Sequence, residues 1–305
     1  MLKTTFIALL VSCSAPSFAL PFSSQHALVF EEESGKVLLE KNADTIVPIA
    51  SLTKLMTAMV VLDAKLDMDE PISIDESDVD RLKNSSSRVP VGATLPRKSM
   101  LELALMSSDN RAAAALARTY PGGHPAFLAA VRQKLEALDM QHTSIGEPTG
   151  LSPANRSTAA DLLKMATAAS QYPEIAQFTT TSEALIDMNG RPVQYRNTNR
   201  LVGREGWDVL LSKTGFTREA GRCLIMRMEA GGKHLILVLL NANEGAGRML
   251  DAENVQRYVN GQEPLFAAKP ASRKIRMVRR SPRGGKNSIV LAKSRGSAKV
   301  RKIKI

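Results

Sequence analysis

The chain has 305 residues, 44% of them hydrophobic, with 41 Lys and Arg against 30 Asp and Glu for a formal net charge of +11. That length buries a substantial core in one large domain or two smaller ones. The charge is uneven: 14 basic residues and no acidic one lie between Lys269 and Ile305, leaving 27 basic against 30 acidic elsewhere, so only the tail is basic.

In chain order, residues 1–19 read as a secretory signal. Lys3 supplies the positive flank, Phe6 to Val11 an apolar run too short to span a bilayer, and Ser17-Phe18-Ala19 a small-x-small cleavage site. Leu10-Val11-Ser12-Cys13 offers the alternative of cleavage before Cys13 and lipidation. If Cys13 leaves with the signal, Cys223 is the only cysteine left and an internal disulfide is excluded. Export also argues against nucleic acid as a partner.

Ala27 to Phe30 and Lys36 to Leu39, flanking Glu33-Ser34-Gly35, predict a hairpin. Pro48 predicts a turn into a helix over Ser51–Lys65. That helix carries Leu52, Leu55, Met56, Met59, Val60 and Leu62 on more than one face, which predicts a central, buried position. A helical block over Lys98–Tyr120 breaks near Ser107–Asn110, where short polar side chains compete for backbone hydrogen bonds. Pro125 to Leu138 is a helix and Glu147 to Leu151 a loop. Thr158-x-x-Asp161 reads as a capping box opening a helix through Ser170. Asp208 to Lys213, Arg222 to Glu229 and His234 to Asn241 are strand-like, and Arg248 to Val259 is helical. Strands from both ends of a body spanning residues 22–266, with a helical insertion at about 65–165, imply an α+β fold: an antiparallel sheet covered by helices. Residues 267–305, with few aromatics and a Pro282-Arg283-Gly284-Gly285 break, predict a disordered tail. It reads either as an electrostatic tether to an anionic envelope polymer or membrane surface, or as a solvated tail without a partner.

Three short motifs remain, each weak alone: Ser51-Leu52-Thr53-Lys54, Ser108-Asp109-Asn110 and Lys213-Thr214-Gly215. In this order they form the set shared by class A β-lactamases and penicillin-binding proteins. Serine needs a positioned base, and Lys54 lies one helical turn beyond Ser51. Burial near a helix N-terminus disfavours the ammonium, and Lys213 nearby pushes the same way. A second hydroxyl, Ser108, between two lysines relays a proton to the leaving amine. Asn110 holds a substrate amide and steadies Lys54, while Asp109 points away and supports the turn. Lys213 and Gly215 share a strand face; Gly215 leaves room for a ligand, and the strand edge pairs with an extended substrate. Lys213 and Thr214 attract a substrate carboxylate, and the backbone N–H groups of Ser51 and Phe216 form an oxyanion hole. The four histidines, His26, His124, His142 and His234, are scattered, so the sequence calls for neither metal nor cofactor.

From about Ala27 to about Pro264 the chain resembles the low-molecular-mass serine D-Ala-D-Ala peptidases, which are penicillin-binding proteins, and within them the D-alanyl-D-alanine endopeptidase branch. The resemblance extends to the residues around each motif, to Tyr120-Pro-Gly-Gly123 and to Glu147-Pro-Thr-Gly-Leu-Ser152. It implies a β-lactamase/transpeptidase-like fold with an all-helical subdomain and the active site between it and the sheet. It also implies a periplasmic enzyme acting on peptidoglycan stem peptides and acylated at Ser51 by β-lactam antibiotics. The rival readings are a D,D-carboxypeptidase with the same residues, a β-lactamase, and a catalytically silent wall-binding protein. Glu147 lacks the Glu-x-x-Leu-Asn context that a β-lactamase uses to activate its deacylating water.

Overall fold

The computed structural model describes residues 22–242 and 247–265. The predicted signal with Cys13 and the basic tail from residue 267 lie outside them. The first hairpin forms and runs longer than predicted, as β1 (Ser24–Glu31) and β2 (Lys36–Lys41). The predicted turn into the helix follows Pro48 rather than including it. Val47–Pro48 is a two-residue strand, β3, antiparallel to Arg156–Ser157. Such a short edge pair asks no N–H of the proline, and Ile49 donates to the Asn155 carbonyl at 3.1 Å.

A tight 3-10 turn over Ala50–Leu52 follows, and α1 (Thr53–Asp63) starts two residues later than predicted, leaving Ser51 in the turn. Nine consecutive residues of α1, Thr53 to Val61, are buried, as expected of a helix apolar on all sides. Beyond the short pair β4 (Pro71–Ser73) and β5 (Thr94–Pro96) come α2 (Arg97–Met106) and α3 (Asn110–Arg118), broken where predicted. Asp109 caps α3 by accepting from the Ala112 N–H at 3.0 Å. Next are α4 (Gly123–Ala137), β6 (Arg156–Ser157) and α5 (Ala159–Ala169). Only half of the predicted capping box is built. Thr158 accepts from the Asp161 N–H, whereas the Asp161 carboxylate accepts from the His142 N–H and the Thr143 hydroxyl, both at 2.8 Å.

The sequence reading passed over α6 (Pro173–Thr180) and the hairpin β7 (Glu183–Asp187) and β8 (Pro192–Arg196), although both carry signals. Pro173 sits at the first helical turn. Asn189-Gly190 makes the hairpin turn with φ of +54° and +85°, the pairing that two-residue hairpin loops favour. The chain continues through β9 (Asp208–Thr217), β10 (Gly221–Ala230), β11 (Lys233–Ala242) and α7 (Gly247–Val259).

The main sheet has the order β2-β1-β11-β10-β9, with every neighbouring pair antiparallel. Its side chains alternate between two apolar layers. Leu28, Ile225, Ile236 and Val238 join the large core that includes α1, α2, α3 and α5. Val29, Leu224, Met226, Leu235 and Leu237 meet Ala252 and Val255 of α7 on the other face. Burial on both faces explains the near-continuous apolar run from Leu235 to Leu240. Each such aliphatic side chain stabilises the fold by about 1.5–3 kcal/mol. The consequence for function is at the margin: β9 is an edge strand, and the turn carrying Ser51 packs directly against it.

Candidate active site

Three segments far apart in sequence meet in front of the β9 edge. Lys54 Nζ lies 3.0 Å from Ser51 Oγ, and donates to Asn110 Oδ1 and to the Thr149 carbonyl, each at 2.7 Å. The residue is 1% exposed. Burial pushes the amine down to about 8, against the opposing pull of the Glu147 and Asp109 carboxylates. In the neutral amine two hydrogens serve Asn110 and Thr149, so the lone pair is left facing the Ser51 hydroxyl.

Lys213 forms the second lysine–serine pair. Its Nζ donates to Ser108 Oγ at 2.9 Å and to the Thr214 carbonyl at 3.0 Å. Burial first, then the Lys54 and Arg248 cations, hold it well below the ordinary lysine range. The predicted push of Lys213 on Lys54 is not among the causes acting on Lys54; the repulsion is felt at Lys213 instead. The predicted single hydroxyl between two amines is also replaced by two separate pairs: among the described residues, no hydrogen bond joins Ser108 to Lys54 or Ser51 to Lys213. Ser108 has φ +61°, a left-handed conformation uncommon outside glycine, at the break between α2 and α3.

Asn110 is committed on both sides, its Nδ2 donating to Ser85 Oγ at 2.9 Å. Asp109 points away from the site, accepting from Ser87 Oγ at 2.7 Å. Thr214 is nearly buried on the opposite strand face from Lys213, with its hydroxyl 2.6 Å from that of Thr198. Phe216 follows on the same edge strand, its ring 56% exposed beneath the Arg222 guanidinium.

Gly215 has a different role from the one predicted. A Cβ there would lie 3.0 Å from the Ile49 carbonyl oxygen and 3.1 Å from the Ser51 nitrogen. The missing side chain makes room for the serine turn rather than for a ligand, and so sets how closely Ser51 approaches β9.

Several supporting groups escaped the sequence reading. The Glu147 carboxylate accepts from the N–H groups of Thr149 (2.8 Å) and Gly150 (2.6 Å), the Thr149 hydroxyl (2.5 Å) and Asn155 Nδ2 (3.0 Å). It thereby holds the Thr149 carbonyl against Lys54. Gly150, with φ +84°, is indispensable there: a Cβ would fall 1.9 Å from the Ala50 carbonyl oxygen. Beneath the strand, Arg248 Nη1 donates to the carbonyls of Gly215 (3.0 Å) and Cys223 (2.9 Å). Cys223 is buried, and burial pushes its thiol up to about 11. The Glu147 loop stood out in the sequence as Pro-Thr-Gly; Arg248 carried no local signal.

The family model described as D-alanyl-D-alanine carboxypeptidase matches residues 12–244. The chain belongs to that family. This peptidase is similar to a D-alanyl-D-alanine endopeptidase of Pseudomonas aeruginosa, 44% identical over 286 residues that cover 91% of this chain and 92% of the relative. A protein of the same description from Escherichia coli is 44% identical over 239 residues, covering 78% of this chain and 77% of the relative. Among solved structures, penicillin-binding protein D2 from Listeria monocytogenes in the ampicillin-bound form superposes with a TM-score of 0.68. It is 31% identical, with 80% of this chain and 99% of that one covered. The α+β fold expected from the order of strands and helices is therefore the fold of this serine D-Ala-D-Ala peptidase, a hydrolase.

Proposed function

We propose that the protein is a D,D-endopeptidase that hydrolyses D-Ala-containing cross-links between peptidoglycan stems through an acyl-enzyme on Ser51. The observation that carries this is the buried Lys54 amine, whose other two contacts are both acceptors and whose lone pair faces Ser51. Ser51 attacks the D-Ala carbonyl carbon while Lys54 takes the hydroxyl proton. The N–H groups of Ser51 and Phe216 receive the oxyanion. Ser108, oriented by Lys213, donates its proton to the leaving amine as the C–N bond breaks, and the proton held on Lys54 returns to Ser108 through a bridging water, since no hydrogen bond joins the two directly. Water then cleaves the ester with Lys54 again as base. Lys213 attracts a substrate carboxylate, Thr214 joins it once its hydroxyl leaves Thr198, and Asn110 receives a substrate amide once Ser85 yields.

The names of the Pseudomonas and Escherichia relatives support cross-link cleavage, and the family description supports the trimming of a terminal D-Ala by the same residues. Cross-linked muropeptide dimers and uncross-linked pentapeptides offered side by side decide the matter. The expected result is cleavage of dimers; loss of D-Ala from pentapeptide with dimers untouched overturns the endopeptidase. Turnover of β-lactams is disfavoured because the Glu147 carboxylate is saturated by hydrogen bonds and cannot also activate a water. A long-lived penicillin adduct on a Ser51 peptide, absent in Ser51→Ala, is the expected mass-spectrometric result.

Periplasmic location after removal of residues 1–19 and wall tethering through the basic tail belong to the same reading. Deleting residues 269–305 is expected to abolish salt-sensitive retention on isolated cell walls; unchanged retention refutes the tether.

A further inference from the structure

A strap crosses the cleft beyond Ser51, built from the loop between β4 and β5. In that loop the Asp80 carboxylate accepts from the N–H groups of Leu82 (2.8 Å), Lys83 (3.0 Å) and Ser85 (2.8 Å), which ties residues 80–85 into one knuckle. The knuckle touches both walls. Ser85 Oγ accepts from Asn110 Nδ2 at 2.9 Å, and Lys83 Nζ pairs with the Glu219 carboxylate in the turn between β9 and β10. Both side chains of that ion pair reach water.

The two ends of the strap are not equally fixed. The β9–β10 turn is locked: the Ala220 N–H donates to Thr217 Oγ1 at 3.1 Å, and Ala220 is buried. Gly221 then sits so close to Asn241 that a Cβ would lie 3.0 Å from the Asn241 Cα. The knuckle has no such seat. Residues 81–84 are all exposed, Leu82 over 61% of its surface. The next fixed points are Ser87, on Asp109 at 2.7 Å, and Arg88, whose Nη1 donates to the Gln194 carbonyl at 2.8 Å. Opening the strap therefore breaks one ion pair and one hydrogen bond and gives up little buried apolar surface.

Position decides what the strap meets. The leaving amine departs toward Ser108 and Lys213, so the acyl half of a substrate paired with the β9 edge runs the other way, past Phe216 toward Glu219. We infer that Lys83 and Glu219 are specificity-determining residues: their ion pair latches the strap over the path of the acyl half and sorts acyl groups by length. This rests on the peptidase reading above. A short acyl group ends before Glu219 and leaves the latch closed. A stem peptide long enough to follow β9 to its end binds only after Lys83 has left Glu219, and so carries the cost of opening.

The test compares two probes on the full-length protein: benzylpenicillin, with its short acyl group, and a soluble cross-linked muropeptide dimer. Lys83→Ala is expected to raise kcat/KM for the dimer about two- to fivefold, the range an exposed ion pair supplies, and to leave the rate of penicillin acylation unchanged. Raising NaCl from about 0.05 to about 0.5 M should produce the same gain in the parent protein and none in the variant. The exchanged pair, Lys83→Glu with Glu219→Lys, is expected to restore the parent's rates, which a merely structural role in the loop would not do. Slower or unchanged dimer cleavage in Lys83→Ala, equal acceleration of both probes, or failure of the exchanged pair to restore the rates overturns the latch and leaves the peptidase intact. Absence of both the penicillin adduct and dimer cleavage in the parent overturns the peptidase reading and the latch with it.

Discussion

The two walls of the cleft are held in place by different physics. On the sheet side, β9 is set by its ladder with β10, in which Lys213 faces Ile225 and Gly215 faces Cys223. Register places Lys213, and the Arg248 side chain adds two hydrogen bonds to the carbonyls of Gly215 and Cys223. On the other side, the loops at residues 79–92 and 147–152 have no ladder. Single carboxylates gather their backbone N–H groups instead: Asp80, Asp109 and Glu147 each organise a stretch of chain that carries a residue of the site. A wall built on a ladder spreads its support over many bonds, whereas a wall built on carboxylates concentrates it in a few atoms. Substitutions should therefore be felt very unequally.

The largest effect is expected from Gly150→Ala, whose new methyl group would meet the Ala50 carbonyl in a left-handed backbone. A loss of more than about 4 kcal/mol, or failure to fold, should appear in urea unfolding. Near-normal stability would show that the loop wall is not packed tightly against the serine turn. Glu147→Gln comes next. It keeps the shape but loses the charged acceptor, and should cost about 1–3 kcal/mol and slow penicillin acylation. Gly215→Ala on the ladder wall should cost only about 1 kcal/mol, with acylation about tenfold slower as the Ser51 turn is displaced by tenths of an ångström.

The pH dependence sharpens the same contrast. Lys54 titrates near 8 in the fold, below an ordinary lysine, so acylation should rise with pH through about 8. In Glu147→Gln the midpoint should fall, because a carboxylate that favours the ammonium has been removed. For stability, the unfolded chain binds the extra proton between about 8 and about 10.4. The contribution of Lys54 thus rises as pH increases across that window and is fully lost below it. The smallest effect belongs to Lys83→Ala, which removes an exposed ion pair to Glu219 that joins the two walls. A change beyond about 1 kcal/mol would give that contact an importance its exposure does not support.

What the sequence disclosed follows the same division. The ladder wall was readable because apolar runs of strand length, separated by glycine turns, announce β9, β10 and β11, and the unbroken apolar surface of α1 announces its burial. The serine turn and the break before Asn110 were readable from their motifs. The carboxylate wall was not. An Asp or Glu that collects backbone N–H groups has no periodicity, and nothing in Asp80 or Glu147 alone distinguishes it from a solvated charge. The role of Gly215 was misjudged for a related reason: a glycine announces that something comes close, without saying whether it is ligand or protein. The hairpin at Asn189-Gly190 was legible and overlooked.

The pairing of β1 with β11 has a further consequence, for how the molecule is made. The strand that opens the described chain waits for the last strand of the sheet, Lys233–Ala242, so the sheet cannot close until that strand has been made. Until then β1 and β2 are a lone hairpin, marginal in water, and their apolar faces invite wrong partners. Chains cut short before Ala242 should accordingly aggregate rather than survive as folded fragments, however complete their serine turn.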